Sequence, residues 1–422
     1  MSDLKERDKK HLWHPLTQHK TAREMLPIVK AKACILTDDN GNEYIDGISS
    51  WYTAVYGHCH PFITNKVAKQ MQNLDQVVFS GFTHEPAIEL SEALIKILPA
   101  GQQKMFFNDN GSTATEIGIK MALQYHHNLG NDRKVMLAFE NGFHGDTFGA
   151  MSVSGLSVYN GAFKDHFIRV KRLPVPNGEN NSEVISTLKM LIAEHNFAGF
   201  IYEPLIQGAA AMQFHNAEGL DEILKICWEN EIILIADEVM TGFGKTGKFF
   251  ASDHLQQKPD ILCMSKALTA GLLPMGLTSC TQKIYDAFYS DEIAKGLFHG
   301  HTYTANPLAC TAALAALELL TSEEIQHKIT EIARQNNAFA NKIKYHPKVK
   351  NLRTLGVILA FELDVETDRY GSLRDKIFDF FMQRGIALRP LGNTIYILPP
   401  YVISEKQLQQ IYLAIEESLS VF

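Results

Sequence analysis

The sequence has no excess of positive charge, no long apolar run and no paired cysteines. Its formal net charge is −7 over 422 residues, so the chain would repel the phosphate backbone of a nucleic acid. The longest stretch without an acidic or basic residue, 296–317, contains Asn306-Pro307 and two histidines, which make it a poor membrane span. We therefore expect neither a nucleic acid nor a membrane as a partner.

Cysteine is scarce, and none of the six cysteines belongs to a Cys-X-X-Cys pair. Most lie inside apolar segments, a pattern that favours buried, reduced thiols. The histidine pairs, His58/His60 among them, have no second pair of ligands at a typical spacing, so we expect no metal site. The charged N-terminus lacks the apolar segment of a signal peptide, which leads us to expect a cytoplasmic protein.

Short apolar runs alternate with longer periodic segments between residues 60 and 300. The predicted strands are 104–108, 134–139, 198–202, 232–236 and 260–264, and the predicted helices between them include 112–127, 182–194 and 220–230. Buried strands alternating with helices predict an α/β fold with a mostly parallel sheet covered on both faces. Ligands of such sheets bind beyond the carboxyl ends of the strands.

The chain is longer than one hydrophobic core usually organises, so we expect two domains. Residues 34–37 and 43–46 predict an N-terminal hairpin. After Pro307 the pattern changes to helices at 308–320 and 323–344 with short strands at 357–363 and 394–398. We predict a large domain at 57–306 and a smaller domain at 307–422, to which residues 1–56 contribute.

Two strand ends carry opposite charges. Asp237 follows the apolar run 233–236, and Lys266 follows the next run, 29 residues later. A buried carboxylate needs a partner such as a protonated pyridine nitrogen, and a buried lysine can attack an aldehyde cofactor and then carry a proton. Either residue alone is more simply interpreted as a cap or a surface charge; together they favour a cofactor site.

Three further segments suit a flat, phosphate-bearing cofactor. Gly111 and Ser112 begin a helix, where free N–H groups bind phosphate, although a plain N-cap at 112–115 fits as well. Phe143 could cover the face of a ring or belong to the core. The segment 299–303 could supply a second phosphate contact or form a turn.

Two nucleotide-binding patterns are incomplete. Residues 242–247 match Gly-X-Gly-X-X-Gly, but residues 248–253 do not open a convincing helix, and no strand-ending acid follows at the right place. Gly244-Lys-Thr246 resembles the end of a P-loop, but Val239 stands at the required first glycine. A P-loop hydrolase and a non-catalytic dimeric protein remain alternatives of other classes, and the Asp237/Lys266 pair argues against the second.

Taken together, these motifs resemble the class III aminotransferases of pyridoxal-phosphate fold type I over essentially the whole chain. The motifs that carry the resemblance are His11-Leu-Trp-His-Pro15, Asp46-Gly-Ile-Ser-Ser-Trp51, Gly57-His-Cys-His-Pro61, Phe143-His-Gly-Asp-Thr-Phe-Gly-Ala-Met-Ser152, Glu203-Pro-Leu-Ile-Gln-Gly208, Asp237-Glu-Val-Met-Thr-Gly-Phe-Gly244, Ser265-Lys-Ala-Leu-Thr269, Asn306-Pro-Leu-Ala-Cys310, Leu388-Arg-Pro390 and Ile395-Tyr-Ile-Leu-Pro-Pro-Tyr401. The resemblance implies a large domain with a mostly parallel seven-stranded sheet and a smaller α+β domain.

The resemblance also implies the site residues. Those implied to hold pyridoxal 5′-phosphate are Gly111, Ser112, Phe143, Asp237, Lys266, His301 and Thr302. Those implied to bind substrate are Leu16, Trp51, Phe143, Gly300 and Arg389. Lys266 and Asp237 are the implied catalytic residues, and Thr302 is implied to come from the neighbouring subunit of a homodimer with its active site at the interface. For Arg389 there is an independent reason, because a guanidinium matches a carboxylate with two parallel hydrogen bonds.

The implied activity is a ping-pong amino transfer that converts 8-amino-7-oxononanoate into 7,8-diaminononanoate in biotin biosynthesis. S-adenosylmethionine is the implied donor. Lysine is an alternative donor, because Leu16 stands where an aromatic residue is usual and Phe143 replaces a tyrosine. Transamination of another ω-amino acid is a further alternative. His301 in place of proline and Lys245 in place of arginine are two other departures from the family pattern.

Overall fold

The computed structural model of the protein describes residues 4–366 and 371–422. Its strands are β1 (Ile28–Lys32), β2 (Ile35–Asp38), β3 (Glu43–Asp46), β4 (Gln102–Asn108), β5 (Val135–Phe139), β6 (Val170–Leu173), β7 (Phe197–Tyr202), β8 (Ile206–Gln207), β9 (Gln213–Phe214), β10 (Ile233–Asp237), β11 (Ile261–Met264), β12 (Gly276–Thr281), β13 (Val349–Leu355), β14 (Ile358–Leu363), β15 (Ile386–Ala387) and β16 (Thr394–Ile397). Its α-helices are α1 (Leu4–His11), α2 (Pro61–Met71), α3 (Glu85–Ile95), α4 (Gly111–Asn128), α5 (Phe148–Val153), α6 (Asn181–Glu194), α7 (Ala217–Glu229), α8 (Gln282–Asp286), α9 (Pro307–Leu320), α10 (Glu323–Ile343), α11 (Ser372–Met382) and α12 (Glu405–Val421). Short 3-10 helices lie at Gly161–His166, Ala251–His254, Lys266–Thr269 and Ile293–Lys295.

The central sheet has seven strands in the order β4-β12-β11-β10-β7-β5-β6. All of its strands run in one direction except β12, which is antiparallel to both of its neighbours. Alternate residues of a strand face opposite sides of the sheet. Leu234 of β10 therefore joins one apolar cluster, and Ile235 joins a second cluster that includes Ile117 of α4. The prediction of a mostly parallel sheet covered on both faces is confirmed.

Strand β12 is one of the two strands of this sheet that were not predicted, the other being β6. Its sequence, Gly-Leu-Thr-Ser-Cys-Thr, is half polar, so it shows no apolar run. The polar side chains are nevertheless buried: Thr278 donates to the carbonyl of Ala114 at 2.7 Å, and Ser279 donates to Gln102 Oε1 at 2.7 Å. Side-chain hydrogen bonds therefore take the place of apolar contacts in this strand.

The two ends of the chain meet in a smaller sheet. The predicted N-terminal hairpin forms between β2 and β3, and β15 adds to it in parallel by pairing Ile386 with Ile45. A second small sheet has the order β13-β14-β16. Within the described ranges, no helix is both long and apolar enough to cross a membrane.

Candidate active site

The predicted acid and amine lie at the same edge of the central sheet. Asp237 is the last residue of β10, and Lys266 follows the end of β11 by two residues. Because β10 and β11 are neighbours in parallel register, Asp237 is paired with Cys263. The carboxylate and the amine therefore leave adjacent strands at their carboxyl ends, where parallel sheets bind ligands.

The Asp237 carboxylate is buried and held by two donors. Its Oδ2 atom lies 2.8 Å from Nδ1 of His144, and its Oδ1 atom accepts the N–H of Val239 at 3.0 Å. An ionised carboxylate can only accept hydrogen bonds, so Nδ1 of His144 carries the hydrogen. His144 was not predicted to belong to the site, although it lies next to Phe143 in the sequence. His144 and Asp237 are 93 positions apart in the sequence, and no pattern near either residue predicts their contact.

The Lys266 amine has no hydrogen-bond acceptor within the described part of the chain, and the centre of the Tyr52 ring lies 5.1 Å from Nζ. Burial lowers the pKa of Lys266, while the negative charges of Asp237 and Glu203 act in the opposite direction. A lowered pKa increases the share of neutral amine at neutral pH. Only the neutral amine can attack a carbonyl carbon, so this environment suits a nucleophile.

Glu203 is a second buried carboxyl group at this edge and was not predicted to belong to the site. It follows the end of β7 and accepts the N–H groups of Phe143 at 3.1 Å and Gly208 at 3.0 Å. Burial raises the pKa of Glu203 to about 7. The rule that singled out Asp237, an acid directly after an apolar strand, applies equally to Glu203 and could have found it.

The N-terminus of α4 begins at Gly111 and lies beside the end of β10. Its N-cap is Asn110, which accepts the N–H of Thr113 at 3.0 Å, so the alternative of an N-cap at Ser112 is wrong. A β-carbon on Gly111 would lie 2.8 Å from Cγ1 of Val239, so this close approach requires glycine. The free N–H groups of this helix end and the Ser112 hydroxyl can bind an anion.

Residues Ser49–Tyr52, which we call the left-handed turn, reach the site from the N-terminal part of the chain. Their φ angles are 50°, 45°, 66° and 73°. Each such residue other than glycine costs about 1–2 kcal/mol. The turn places Tyr52 near Lys266 and Trp51 under Arg389, whose Cζ atom lies 3.9 Å from the centre of the indole ring. Arg389 is exposed but stacked, so it is not an isolated surface arginine.

The segment 299–303 lies beside the turn that precedes α4. Nδ1 of His301 lies 3.1 Å from Oδ2 of Asp109, and its Nε2 lies 3.0 Å from Nε2 of His299. The carbonyl of Thr302 accepts a hydrogen bond from Gln76 at 2.9 Å. The structure thus places His301 next to the turn that precedes α4 of its own chain and Thr302 next to Gln76. Leu16 is exposed in the N-terminal segment and, among described residues, makes no hydrogen bond or ion pair with the site.

Lys245, which follows Gly244 in one of the two incomplete nucleotide-binding patterns, is completely buried. Its Nζ donates to the carbonyl of Gly242 at 2.9 Å. Burial, helped by the charge of Lys266, lowers the pKa of Lys245 from 10.5 to about 7. The charge of Glu238 acts in the opposite direction without outweighing burial, so a protonated amine at this position destabilises the folded state.

Replacing Lys245 with methionine should therefore change how stability depends on pH. The unfolded lysine binds a proton up to pH 10.5 and the folded one releases it near pH 7, so the free energy of unfolding of the parent rises with pH between these values. Methionine does not titrate. From pH 7 to pH 9 the free energy of unfolding of the parent should therefore rise by about 2 kcal/mol relative to that of Lys245→Met.

Guanidinium denaturation at the two pH values measures this difference. Lys248→Met is the matched control, since Lys248 is exposed and should show no such pH dependence. A difference for Lys245→Met that is the same at both pH values would contradict the burial of a neutralised amine.

The residues at this sheet edge fit pyridoxal phosphate in three respects. Lys266 offers a buried primary amine for an aldehyde, Asp237 offers a buried carboxylate for a ring nitrogen, and the N-terminus of α4 offers an anion site. A seven-stranded, mostly parallel sheet that carries this combination is typical of pyridoxal-phosphate enzymes of fold type I.

Comparison with known proteins identifies the family. The family aminotransferase class-III matches residues 17–419. A relative from Synechococcus elongatus, named adenosylmethionine-8-amino-7-oxononanoate aminotransferase, is 43% identical over 97% of this chain and 98% of its own length. A relative of the same name from Helicobacter pylori is 34% identical over 98% of this chain and 96% of its own length. The chain belongs to the class III aminotransferases, which depend on pyridoxal phosphate.

Solved structures agree with the family. The adenosylmethionine-8-amino-7-oxononanoate aminotransferase from Methanocaldococcus jannaschii superposes with a TM-score of 0.92 at 34% identity, covering 98% of both chains. An amine transaminase from an uncultivated Pseudomonas species, in its PLP-bound form, has a TM-score of 0.89 at 28% identity, covering 97% of this chain and 98% of its own. The prediction of fold type I is confirmed.

Proposed function

We propose that the protein transfers an amino group from S-adenosylmethionine to 8-amino-7-oxononanoate, giving 7,8-diaminononanoate in biotin biosynthesis. The observation that carries this proposal is Arg389, an exposed guanidinium without an ion-pair partner among described residues, held over Trp51 beside the lysine site. The acceptor has a carboxylate far from its keto group, as this arrangement requires. Relatives with 34–43% identity bear the name of this activity.

Each residue of the site has a separate role in the proposed reaction. When bound, pyridoxal phosphate supplies an electron sink for breaking the bond between Cα and hydrogen. Asp237 holds a proton on the ring nitrogen, and Lys266 carries a proton between the substrate Cα and the C4′ atom of the cofactor. Gly111 and Ser112 bind the phosphate, and Phe143 covers the ring.

A homodimer with its active site at the interface fits the exposed apolar side chains near the segment 299–303. Ile293 is 81% exposed, Phe298 74% and Tyr303 63%, and large exposed apolar side chains near one another in the chain suit an interaction site. In such a dimer Thr302 would reach the phosphate of the neighbouring subunit, and Gly300 would line the substrate site. The proposed location is the cytoplasm, and the proposed domains are 57–306 and 307–422, the latter joined by 1–56.

A donor panel with 8-amino-7-oxononanoate fixed as acceptor tests the function. S-adenosylmethionine should give 7,8-diaminononanoate, measured by mass spectrometry. If the product formed with lysine but not with S-adenosylmethionine, the amino donor would be lysine. Amination of pyruvate or 2-oxoglutarate with no amination of 8-amino-7-oxononanoate would instead assign the protein to the ω-amino acid transaminases.

Replacing Arg389 with alanine should mainly weaken the use of carboxylate substrates. A charged hydrogen bond contributes about 1.5–3 kcal/mol, so KM for 8-amino-7-oxononanoate should rise about tenfold to a hundredfold. The methyl ester of the same acceptor should be used as well by the variant as by the parent.

Arg384→Ala is the matched control, because Arg384 is an exposed arginine paired with Glu417. It should leave both KM values unchanged. An Arg389→Ala variant that handles the free acid like the parent would contradict the carboxylate role.

A further inference from the structure

The left-handed turn is the most strained segment that borders the site. Its four consecutive residues other than glycine have positive φ angles, whereas such conformations normally occur as single residues. Strained backbone persists only where the surrounding structure holds it, and it concentrates at functional sites. The contacts that hold the turn, and the side chains that it presents, therefore indicate what it does.

Two anchors fix the ends of the turn to the strand β16 and the residue after it. The Ser49 hydroxyl donates to the carbonyl of Leu398 at 2.8 Å, and the Tyr52 hydroxyl donates to the Tyr396 hydroxyl at 2.9 Å. Ser49 and Tyr52 are both buried. The ends of the turn are thus fixed, while its middle depends on other contacts.

A cluster of three polar side chains holds the middle of the turn. The Ser50 hydroxyl donates to Oδ2 of Asp46 at 3.0 Å and lies 3.3 Å from Nε2 of His58. His58 Nε2 is itself 2.8 Å from the same Asp46 oxygen. Asp46 is 1% exposed, and its other oxygen accepts the N–H of Ile48 at 3.2 Å, so three donors hold the buried carboxylate. Ser50 can reach the carboxylate while its backbone stays left-handed.

The two residues that follow Ser50 contact the two basic side chains of the site: Trp51 lies against Arg389, and Tyr52 lies near Lys266. The Trp51 ring lies 3.9 Å from Cζ of Arg389, and the Tyr52 ring lies 5.1 Å from Nζ of Lys266. A change of the turn to another backbone region would redirect Trp51 first, because Tyr52 is anchored through its hydroxyl. Arg389 would then lose the surface that orients its guanidinium.

We propose that Ser50 is a positioning residue whose hydroxyl, together with Asp46 and His58, keeps the turn left-handed so that Trp51 orients Arg389 toward a carboxylate. The inference rests on the proposed function insofar as the substrate carries a carboxylate. It assigns to Ser50 no contact with the substrate itself.

Binding of heptanoate to the holoenzyme, measured by calorimetry, tests this role without requiring turnover. Heptanoate corresponds to the carboxyl end of the proposed acceptor, and heptanamide is the uncharged control ligand. Ser50→Ala removes the hydroxyl but keeps the β-carbon, and Ser50→Gly removes both. Glycine adopts the left-handed region freely, so Ser50→Gly should weaken heptanoate binding less than Ser50→Ala, which should weaken it about tenfold.

Two further results are expected. Heptanamide should bind all variants equally, and Ser50→Ala should cause no additional loss in an Arg389→Ala background, because its effect passes through Arg389. Loss of packing alone would reverse the order and make glycine the worse variant. That reversed order, an equal loss for heptanamide, an additional loss in the double variant, or unchanged binding of heptanoate would each overturn the proposal.

If Ser50→Ala does not fold, Ser50→Gly decides alone. Weaker heptanoate binding with unchanged heptanamide binding supports the role, and unchanged binding of both contradicts it. Heptanoate does not react, so its binding is measured independently of turnover. If 8-amino-7-oxononanoate were not aminated, the proposed function would be overturned, while heptanoate binding would still test the role of Ser50.

Discussion

Replacing Lys266 with alanine is expected to lower the rate of amino transfer by on the order of 10⁴-fold or more, because two tasks are lost together. In the proposed function the side chain would attach the cofactor through its amine, and the same amine would carry the proton at Cα. The fold should persist, since the Nζ atom has no hydrogen-bond acceptor among described residues. Single-turnover rates with saturating pyridoxal phosphate measure the loss, and far-ultraviolet circular dichroism checks the fold.

Lys248→Ala is the appropriate control for this variant. Lys248 is an exposed lysine 18 positions before Lys266, and its replacement should leave the rate at the parent value. A Lys266→Ala variant that retains the parent rate would remove the lysine from the mechanism.

Replacing Asp237 with asparagine is expected to lower the same rate by on the order of 10³-fold. The amide keeps the shape of the side chain and can still accept from Nδ1 of His144. It cannot hold a positive charge on the ring nitrogen, so the ring would draw electrons less strongly. Rates measured at saturating cofactor separate this effect from weaker binding.

Asp260→Asn makes the same chemical change next to the opposite end of the neighbouring strand. Asp260 is buried and accepts the N–H of Leu234 at 2.9 Å, away from the site. This variant should lose stability and keep its rate. Equal rate losses for Asp237→Asn and Asp260→Asn would show that any buried carboxylate matters in the same way, which contradicts a specific role.

The gathering of Asp237, Lys266 and Gly111 at one edge of the sheet could be predicted because its signals are local. An acid after β10, a lysine after β11 and a glycine at the start of α4 each stand directly next to a recognisable element. A parallel sheet then brings strand ends together whatever the intervening sequence contains. The elements of the central sheet were found for the same reason, with the exceptions of β6 and the half-polar β12.

The contacts that adjust the site could not be predicted, because they join distant parts of the chain. Trp51 and Arg389 are separated by 338 positions, and no pattern near either residue indicates that one stacks on the other. The left-handed turn is equally hidden, since Ser-Ser-Trp-Tyr contains no glycine to announce positive φ angles. Its conformation depends on Asp46, His58 and residues near the C-terminus rather than on its own composition.

The most direct measurement is borohydride reduction of the protein incubated with pyridoxal phosphate, followed by tryptic digestion and mass spectrometry. Reduction should fix one cofactor on Lys266 and block cleavage there, yielding a single peptide of residues 249–283 with the added mass. The parent should also turn yellow before reduction, and Lys266→Ala should give no labelled peptide. A parent that stays colourless, or a label on any other lysine, would contradict the site.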